Sequence, residues 1–78
     1  MNISVNLYAT LRQYAPDGRS RHFELNLPAK ATAGNVFDIL GIPENVDTVL
    51  LVNGRHADGN THLSARDSIT LYPTITGG

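Results

Sequence analysis

The chain has 78 residues and a formal net charge of −1, which is enough for one domain and too few for two. Its six basic residues are scattered rather than gathered into a stripe, and this argues against a nucleic-acid-binding protein. No apolar run approaches the length of a membrane span, and the N-terminus lacks the basic flank and apolar stretch of a secretion signal. We therefore expect a cytoplasmic protein that binds neither membranes nor nucleic acids.

The composition also limits the chemistry that the chain can perform. Hydrophobic residues make up 41% of it, which is enough for a globular core, but three tyrosines, two phenylalanines and no tryptophan argue against a deep enclosed pocket. Cysteine is absent, and this excludes disulfides, thiolate metal sites and a side-chain persulfide. The three histidines lack the spacing of a metal site, so no metal is expected. If the protein handles sulfur, the sulfur must be carried by something other than a side chain.

The N-terminal third of the chain predicts two strands. Apolar residues at positions 1, 3, 5 and 7 alternate with polar residues and Tyr8, which is the period-two pattern of a strand with one buried face. Leu11 and Tyr14 follow at helical spacing, enough for one short helical turn, and residues 16–18 form a turn. Apolar residues at positions 23, 25 and 27 predict a second strand, which Pro28 ends. We expect the two strands to pair as antiparallel neighbours.

The middle of the chain predicts the main helix, over residues 33–40. Thr32 is a favourable N-cap, Gly41 suits the left-handed position after the last turn, and Pro43 prevents the helix from continuing. The apolar residues expected to face the core from this helix are Val36, Phe37, Ile39 and Leu40.

The next segment predicts a hairpin. The apolar run 49–52 is too short for a helix and suits a strand with both faces covered. Asn53-Gly54 is a strong hairpin signal and leads into a brief strand over residues 55–57. A turn at 58–59 follows, and Leu63 is expected to fill the core from an irregular segment.

The last predicted element is a strand over residues 69–75, which Pro73 weakens on one side. The order of the elements predicts an α+β fold in which one main helix lies across one face of a mixed sheet of about five strands. We expect residues 1–75 to form this domain and residues 76–78 to form a flexible C-terminal tail that ends in Gly-Gly.

Three segments carry a resemblance to a known family. Residues 7–12 read LYATLR, residues 52–55 read VNGR and residues 68–78 read SITLYPTITGG. Together with the order of the elements, they resemble the ubiquitin-like β-grasp sulfur carriers, nearest the small subunit of molybdopterin synthase. The stretch after the first strand favours this branch over the thiamine-pathway carrier, which typically lacks it and is shorter. The chain departs from the family pattern at Arg66, where glycine is usual, and at Thr74, where a second proline is common.

The resemblance implies a carrier rather than an enzyme, with the sulfur held on the C-terminal carboxylate of Gly78. An ATP-dependent, E1-like adenylating enzyme would activate this carboxylate, and a sulfur donor protein would convert it to a thiocarboxylate. A large synthase subunit would then use the sulfur to make molybdopterin for the molybdenum or tungsten cofactor. The chain itself would bind no cofactor, since ATP binds to the adenylating enzyme. Gly77 and Thr76 belong to the tail, and the two glycines lack a Cβ, so they fit a narrow channel in a partner.

Three alternatives stay open at this point. The chain could carry sulfur for thiamine or another sulfur-containing metabolite. It could instead be a ubiquitin-like modifier that is joined through Gly78 to lysines of target proteins, or a plain interaction domain with an inert tail. The fate of Gly78, as a thiocarboxylate or as an isopeptide, distinguishes the carrier from the modifier.

Tyr8 and Tyr72 are the main candidates for partner binding. Each is out of phase with the apolar residues of its strand, so both should point away from the core. If the first and last strands are neighbours, as in the β-grasp fold, the two rings form one exposed patch that can dock a partner protein; alternatively each ring merely covers the open sheet face. The resemblance adds Arg12, which matches the family's arginine after the first strand and is otherwise a solvated surface residue. Ile75, which continues the direction of the last strand toward the tail, is a further candidate for partner binding.

Overall fold

The structure, a computed structural model, describes residues 1–74 of the chain. The strands in this part are β1 (Asn2–Leu7), β2 (His22–Asn26), β3 (Thr48–Val52), β4 (Arg55–His56) and β5 (Ser68–Pro73). The helix α1 is Ala33–Leu40, and a 3₁₀ helix spans Ala9–Tyr14. Within these residues no helix is long and apolar enough to cross a membrane. The predicted elements are present in the predicted order; of the last strand, Ile75 lies outside the described residues.

The strands form one mixed sheet in the order β2-β1-β5-β3-β4. β1 is antiparallel to β2, as predicted, and parallel to β5, whereas β3 is antiparallel to both β5 and β4. Parallel neighbours need a crossover connection, and the connection from β1 to β5 contains α1. The predicted α+β fold, with one main helix across one face of a mixed sheet, is confirmed.

The core lies between α1 and one face of the sheet. Ile3, Val5 and Leu7 of β1 point toward it and are at most 1% exposed. The same hydrophobic cluster contains Ala33 and Val36 of α1, which are completely buried. Because side chains alternate along a strand, the residues between these three in β1 lie on the opposite face of the sheet. That second face is called the open face below.

Backbone hydrogen bonds join the start of α1 to the loop that precedes Leu63. The first two amides of the helix, those of Ala33 and Gly34, each donate at 2.9 Å, to the carbonyls of Thr61 and Gly59. These bonds satisfy helix amides that have no partner inside the helix. Leu63 follows the loop into the core and is buried, as predicted.

Two predicted turns depend on left-handed backbone conformations. Gly41 ends α1 with a φ of 73°, as predicted for a glycine after the last helical turn. Asn53 and Gly54 have φ values of 53° and 83° and connect β3 to β4. Positive φ at both central residues is characteristic of the type I′ hairpin turn that this dipeptide favours.

Ile39 is not part of the core, and here the prediction was wrong. Its side chain is 54% exposed. The residues of α1 that pack in or against the core are Ala33, Val36, Phe37 and Leu40, and their spacing of three or four residues defines one helical stripe. At about 100° per residue, Ile39 lies roughly 110° from the centre of that stripe, on the flank of the helix.

The prediction that both faces of β3 are covered was also wrong. Leu50 is buried beneath α1, but Val49 and Leu51 are only half-buried on the open face. A continuous apolar run is typical of a strand that is covered on both faces, whereas a strand with one solvated face usually alternates apolar and polar residues. β3 departs from this rule. Here α1 covers one face only, so two of these apolar side chains contribute to the open face.

Candidate functional site

Most of the open face is polar. Asn6 of β1 lies near its centre, where its amide nitrogen donates to the Ser68 hydroxyl at 3.3 Å. On the other side, the Asn6 amide oxygen lies 2.8 Å from Nδ1 of His22. These contacts tie three neighbouring strands together through side chains. The apolar side chains of the open face lie beyond these polar contacts, at one end of the sheet.

The apolar end of the open face is formed by Tyr8 and Tyr72. The two rings are nearly perpendicular, at 84°, with their centroids 6.4 Å apart, which is the edge-to-face arrangement that aromatic pairs favour. The Tyr8 amide donates to the Leu71 carbonyl at 3.0 Å and so continues the parallel pairing of β1 with β5. Tyr8 is 42% exposed. The structure therefore brings the two predicted tyrosines together in one patch, in which Tyr8 is exposed and Tyr72 is half-buried.

Three further residues border the tyrosine pair, and the sequence did not identify them. Val49 of β3 lies directly opposite Tyr72, and Leu51 follows it on the same face. The guanidinium carbon of Arg21 lies 5.8 Å from the Tyr8 ring centroid, within the range of a cation–π interaction. We call these five residues, Tyr8, Arg21, Val49, Leu51 and Tyr72, the aromatic surface.

A sequence signal existed for only part of this set. Val49 and Leu51 alternate with Leu50, so they lie on the face opposite to it. Because all three are apolar, the sequence does not show which of the two faces is exposed. Arg21 precedes β2, and its carbonyl accepts the Leu7 amide at 2.7 Å. This strand pairing places Arg21 beside Tyr8, and no local pattern in the sequence reports it.

Arg12 contributes to the structure of the loop after β1. Its Nε donates to the Arg19 carbonyl at 3.0 Å, which links the 3₁₀ helix to the turn at 16–20. Asp17 caps that turn, since its Oδ1 accepts the amides of Arg19 and Ser20 at 3.0 and 2.7 Å. The Ser20 hydroxyl donates to the same carboxylate and, with these amides, lowers the pKa of Asp17 from 3.8 to about 2. A contact of Arg12 with a partner stays a prediction.

The last strand of the described residues ends beside the aromatic surface. β5, which carries Tyr72, ends at Pro73, and the Thr74 amide lies 3.4 Å from the Asp47 carbonyl. The predicted site residues Ile75, Thr76, Gly77 and Gly78 lie outside the described residues.

The other side of the molecule contains an open groove of about 540 Å³ between α1 and β3. It is lined by residues of α1, of the segment that follows it, of β3 and of the loop after β4. Within residues 1–74, no group of three or more His, Cys, Asp or Glu side chains is arranged to hold a metal ion. The groove and the aromatic surface lie on opposite faces of the sheet, because Leu50 lines the groove and its neighbours Val49 and Leu51 face the other way.

Comparison with known proteins identifies a family and a set of similar folds. The family model described as Mut7-C ubiquitin matches residues 1–77. No curated protein matches the chain. Small archaeal modifier protein 1 (SAMP1) from Haloferax volcanii is a structural neighbour with 24% identity and a TM-score of 0.79, and 100% of each chain is covered.

Two further structural neighbours concern molybdopterin. A putative molybdopterin converting factor, subunit 1, from Pyrococcus furiosus is 20% identical with a TM-score of 0.78, over 96% of this chain and 99% of that chain. A chain in the complex of subunits 1 and 2 of molybdopterin-converting factor from Helicobacter pylori is 20% identical with a TM-score of 0.67, over 100% of each chain. At these identities the likeness is one of fold, and it agrees with the β-grasp architecture described above.

Proposed function

The chain belongs to the Mut7-C ubiquitin family, and from this premise we propose that it is a ubiquitin-like sulfur carrier whose Gly78 carboxylate is converted to a thiocarboxylate. One observation supports this proposal above the others. The strand that leads to Gly77-Gly78 is the same strand that carries half of the tyrosine pair. A partner that covers the aromatic surface therefore has the end of the chain within reach.

The proposed chemistry takes place on the Gly78 carboxylate and needs a partner enzyme. A carboxylate is a poor electrophile, so its oxygen first attacks the α-phosphorus of ATP, pyrophosphate leaves, and an acyl-adenylate forms. A sulfur nucleophile at the oxidation level of sulfide, delivered by a donor protein, then attacks the acyl carbon and expels AMP. The product is a thiocarboxylate. ATP binds to the adenylating enzyme in this scheme, and the chain contributes the acyl group and the surface by which it is recognised.

The aromatic surface suits a docking role for energetic reasons. Tyrosine supplies a large contact area with few rotatable bonds, and it is enriched among the residues that dominate binding energy. The perpendicular contact between Tyr8 and Tyr72 orders both rings before a partner arrives, which reduces the entropy lost on binding. Val49 and Leu51 extend the apolar area, and Arg21 offers a cation at its border.

We assign the sulfur, as the finer part of the proposal, to the synthesis of molybdopterin. Two similar structures are of subunit 1 of molybdopterin converting factor, one of them in a complex with subunit 2. The partner proposed for this chain is accordingly a large synthase subunit that holds the sulfur acceptor and performs the transfer. The chain itself acts as the carrier subunit and not as the enzyme.

Conjugation to proteins is a second candidate function. The observation that favours it is the fold shared with small archaeal modifier protein 1, which at 24% identity has the highest identity of the three compared structures. Both functions start from an adenylated Gly78 carboxylate and differ in the nucleophile that follows. Sulfur gives a thiocarboxylate, whereas a lysine amine gives an isopeptide.

Intact-mass analysis tests the proposal. The protein purified from its host first shows whether Gly78 carries a free carboxylate. After incubation with ATP, sulfide and the host's adenylating enzyme, we expect a mass increase equal to the replacement of one oxygen by sulfur. A variant that lacks Gly78 should fold normally and show no increase, whereas Glu24→Gln, at an exposed position of β2, should be converted like the parent.

Two results would contradict the proposed function. The first is an unchanged mass in the presence of an adenylating enzyme shown to be active on another substrate. The second is full activity in cofactor synthesis of a variant that lacks both Gly77 and Gly78. Recovery of the chain as an isopeptide conjugate, without any thiocarboxylate, would replace the carrier by the modifier.

A further inference from the structure

The groove between α1 and β3 has an apolar floor and an acidic rim. Phe37, Ile42 and Leu50 contribute apolar lining, and the latter two are each only 7% exposed. The rim carries the exposed carboxylates of Asp38, Glu44 and Asp58, which come from three different segments of the chain. Among residues 1–74, no lysine, arginine or histidine lines the groove. Its charge is therefore of one sign.

The groove also borders a strand edge whose pairing is incomplete. β4 pairs with β3 only at Leu51 and Val52, and the Leu50 carbonyl accepts the Ala57 amide at 3.1 Å. Backbone groups of alternate residues point to the same edge of a strand, so those of Thr48 point to the same edge as those of Leu50. In the described part of the chain no strand pairs with Thr48 at this edge. Thr48 itself lines the groove.

These features define what the groove can accept. A peptide in extended conformation can pair with the free edge of a strand and place alternate side chains in an adjoining groove. Lysine and arginine lay their methylene groups along apolar surface and keep the charged head at its border. The apolar floor and the carboxylate rim are complementary to the two parts of such a side chain, whereas an acidic side chain would be repelled.

We propose that this groove docks an extended segment of a partner protein, rich in lysine or arginine, which pairs with β3 at Thr48. The cationic heads of the segment lie against Asp38, Glu44 and Asp58. The Asp58 carboxylate is held in position for this contact, because its Oδ1 accepts the Asn60 amide at 2.9 Å. The proposal is independent of the proposed function, since the groove and the aromatic surface lie on opposite faces of the sheet and can be occupied at the same time.

The proposal can be tested by titrating the full chain with two matched peptides and monitoring its amide chemical shifts. The first probe is a blocked peptide of alternating lysine and valine, and the second has glutamate in place of each lysine. We expect the basic peptide to shift the amides of Phe37, Asp38, Thr48 and Asp58, and the acidic peptide to leave them unchanged. The affinity should fall as salt is added, because exposed charge pairs are screened.

Charge-removing variants locate the contact. Replacing the rim carboxylates together, as Asp38→Asn, Glu44→Gln and Asp58→Asn, should weaken binding of the basic peptide by about tenfold, since each exposed pair contributes only a modest share. Asparagine at position 58 keeps an oxygen that can accept the Asn60 amide. The matched control is Glu24→Gln, an exposed carboxylate of β2, which should not change the affinity. Methylation of alternate peptide nitrogens should also weaken binding, because it removes the donors needed for pairing with β3.

Several outcomes would overturn the proposal. Equal binding of the two peptides, unchanged affinity of the triple variant, or shifts confined to the aromatic surface would each exclude a basic segment in the groove. Absence of binding up to millimolar peptide would do the same. Unchanged affinity of the methylated peptide would exclude pairing at Thr48. None of these results bears on the conversion of Gly78, so the two proposals fail separately.

Discussion

Replacement of Gly34 by alanine tests the close backbone contact between α1 and the loop at 58–62. Gly34 is in the first turn of the helix, where its amide donates to the Gly59 carbonyl at 2.9 Å. A Cβ added at Gly34 would lie 3.0 Å from the Gly59 carbonyl oxygen and 3.7 Å from its carbonyl carbon. The oxygen would have to move, and it is the same atom that accepts the Gly34 hydrogen bond.

Two opposing effects decide the sign of the change. Alanine is favoured over glycine in a helix interior by up to about 1 kcal/mol, and this would stabilise the variant. Against it, loss of the hydrogen bond costs about 1 kcal/mol, and forcing extra volume into a packed contact typically costs about 1 to 3 kcal/mol. We expect the costs to prevail, with a net loss of about 1 to 3 kcal/mol in the free energy of unfolding.

Urea unfolding followed by far-ultraviolet circular dichroism measures this loss. For a domain of this size the free energy of unfolding falls by about 1 kcal/mol per molar urea, so the midpoint should fall by about 1 to 3 M. Asp38→Ala on the exposed side of the same helix is the control, and its midpoint should equal or exceed that of the parent. A Gly34→Ala variant as stable as the parent would show that the loop yields without cost, and the close contact would then have no structural importance.

Three further predictions concern the left-handed residue before β5, the aromatic surface and the capped turn. Arg66 has a φ of 70°, a left-handed conformation that is unfavourable for a residue with a Cβ and not for glycine. Arg66→Gly should therefore stabilise the domain by about 0.5 to 1 kcal/mol, after the entropy cost of glycine in the unfolded chain. Arg55→Gly in β4 is the control and should destabilise the domain, and an unchanged melting temperature for Arg66→Gly would contradict the backbone argument. Tyr8→Asp and Tyr72→Asp should each weaken binding to the adenylating enzyme or the synthase subunit about thirtyfold, as loss of a dominant contact does. The circular dichroism spectra of both variants should stay native. Unchanged binding would show that the two tyrosines only cover the open face and do not contact a partner. The pKa of Asp17 falls from 3.8 to about 2 on folding, so the stabilisation by its ionised form is present above about pH 3.8 and is lost as the pH falls through 2. Asp17→Asn should therefore be less stable than the parent at neutral pH, and the difference in melting temperature should shrink as the pH falls from about 3.8 to about 2. A difference in melting temperature that does not change with pH would show that the Asp17 carboxylate is not its cause.

The aromatic surface shows how much of a candidate site can be predicted from local sequence patterns. The alternation in β1 and β5 placed Tyr8 and Tyr72 on the face away from the core, and the edge-to-face pair at 6.4 Å agrees with that placement. Their adjacency, however, depends on the parallel pairing of two strands at opposite ends of the chain. That pairing was available only through the resemblance to a known fold, because no local pattern specifies a neighbour some sixty residues away.

The sequence by itself determined the elements, their order and their caps. Period-two and helical spacing, with Thr32, Gly41 and Asn53-Gly54 at the boundaries, are local properties that a short segment already possesses. The absence of cysteine and the residues Gly77-Gly78 directed attention to the terminal carboxylate, and the roles of Gly78, Thr76, Ile75 and Arg12 stay predictions.

Only the tertiary structure decided which apolar side chains are covered. Val49 and Leu51 belong to the same run as the buried Leu50, and Ile39 to the same helix as Val36, yet these three contribute to the surface. Whether an apolar residue is buried depends on the element that packs against it, and a single helix of eight residues covers one face of the sheet only. The acidic groove has the same origin, since Asp38, Glu44 and Asp58 lie on three separate segments that only the packing of α1 on β3 brings together.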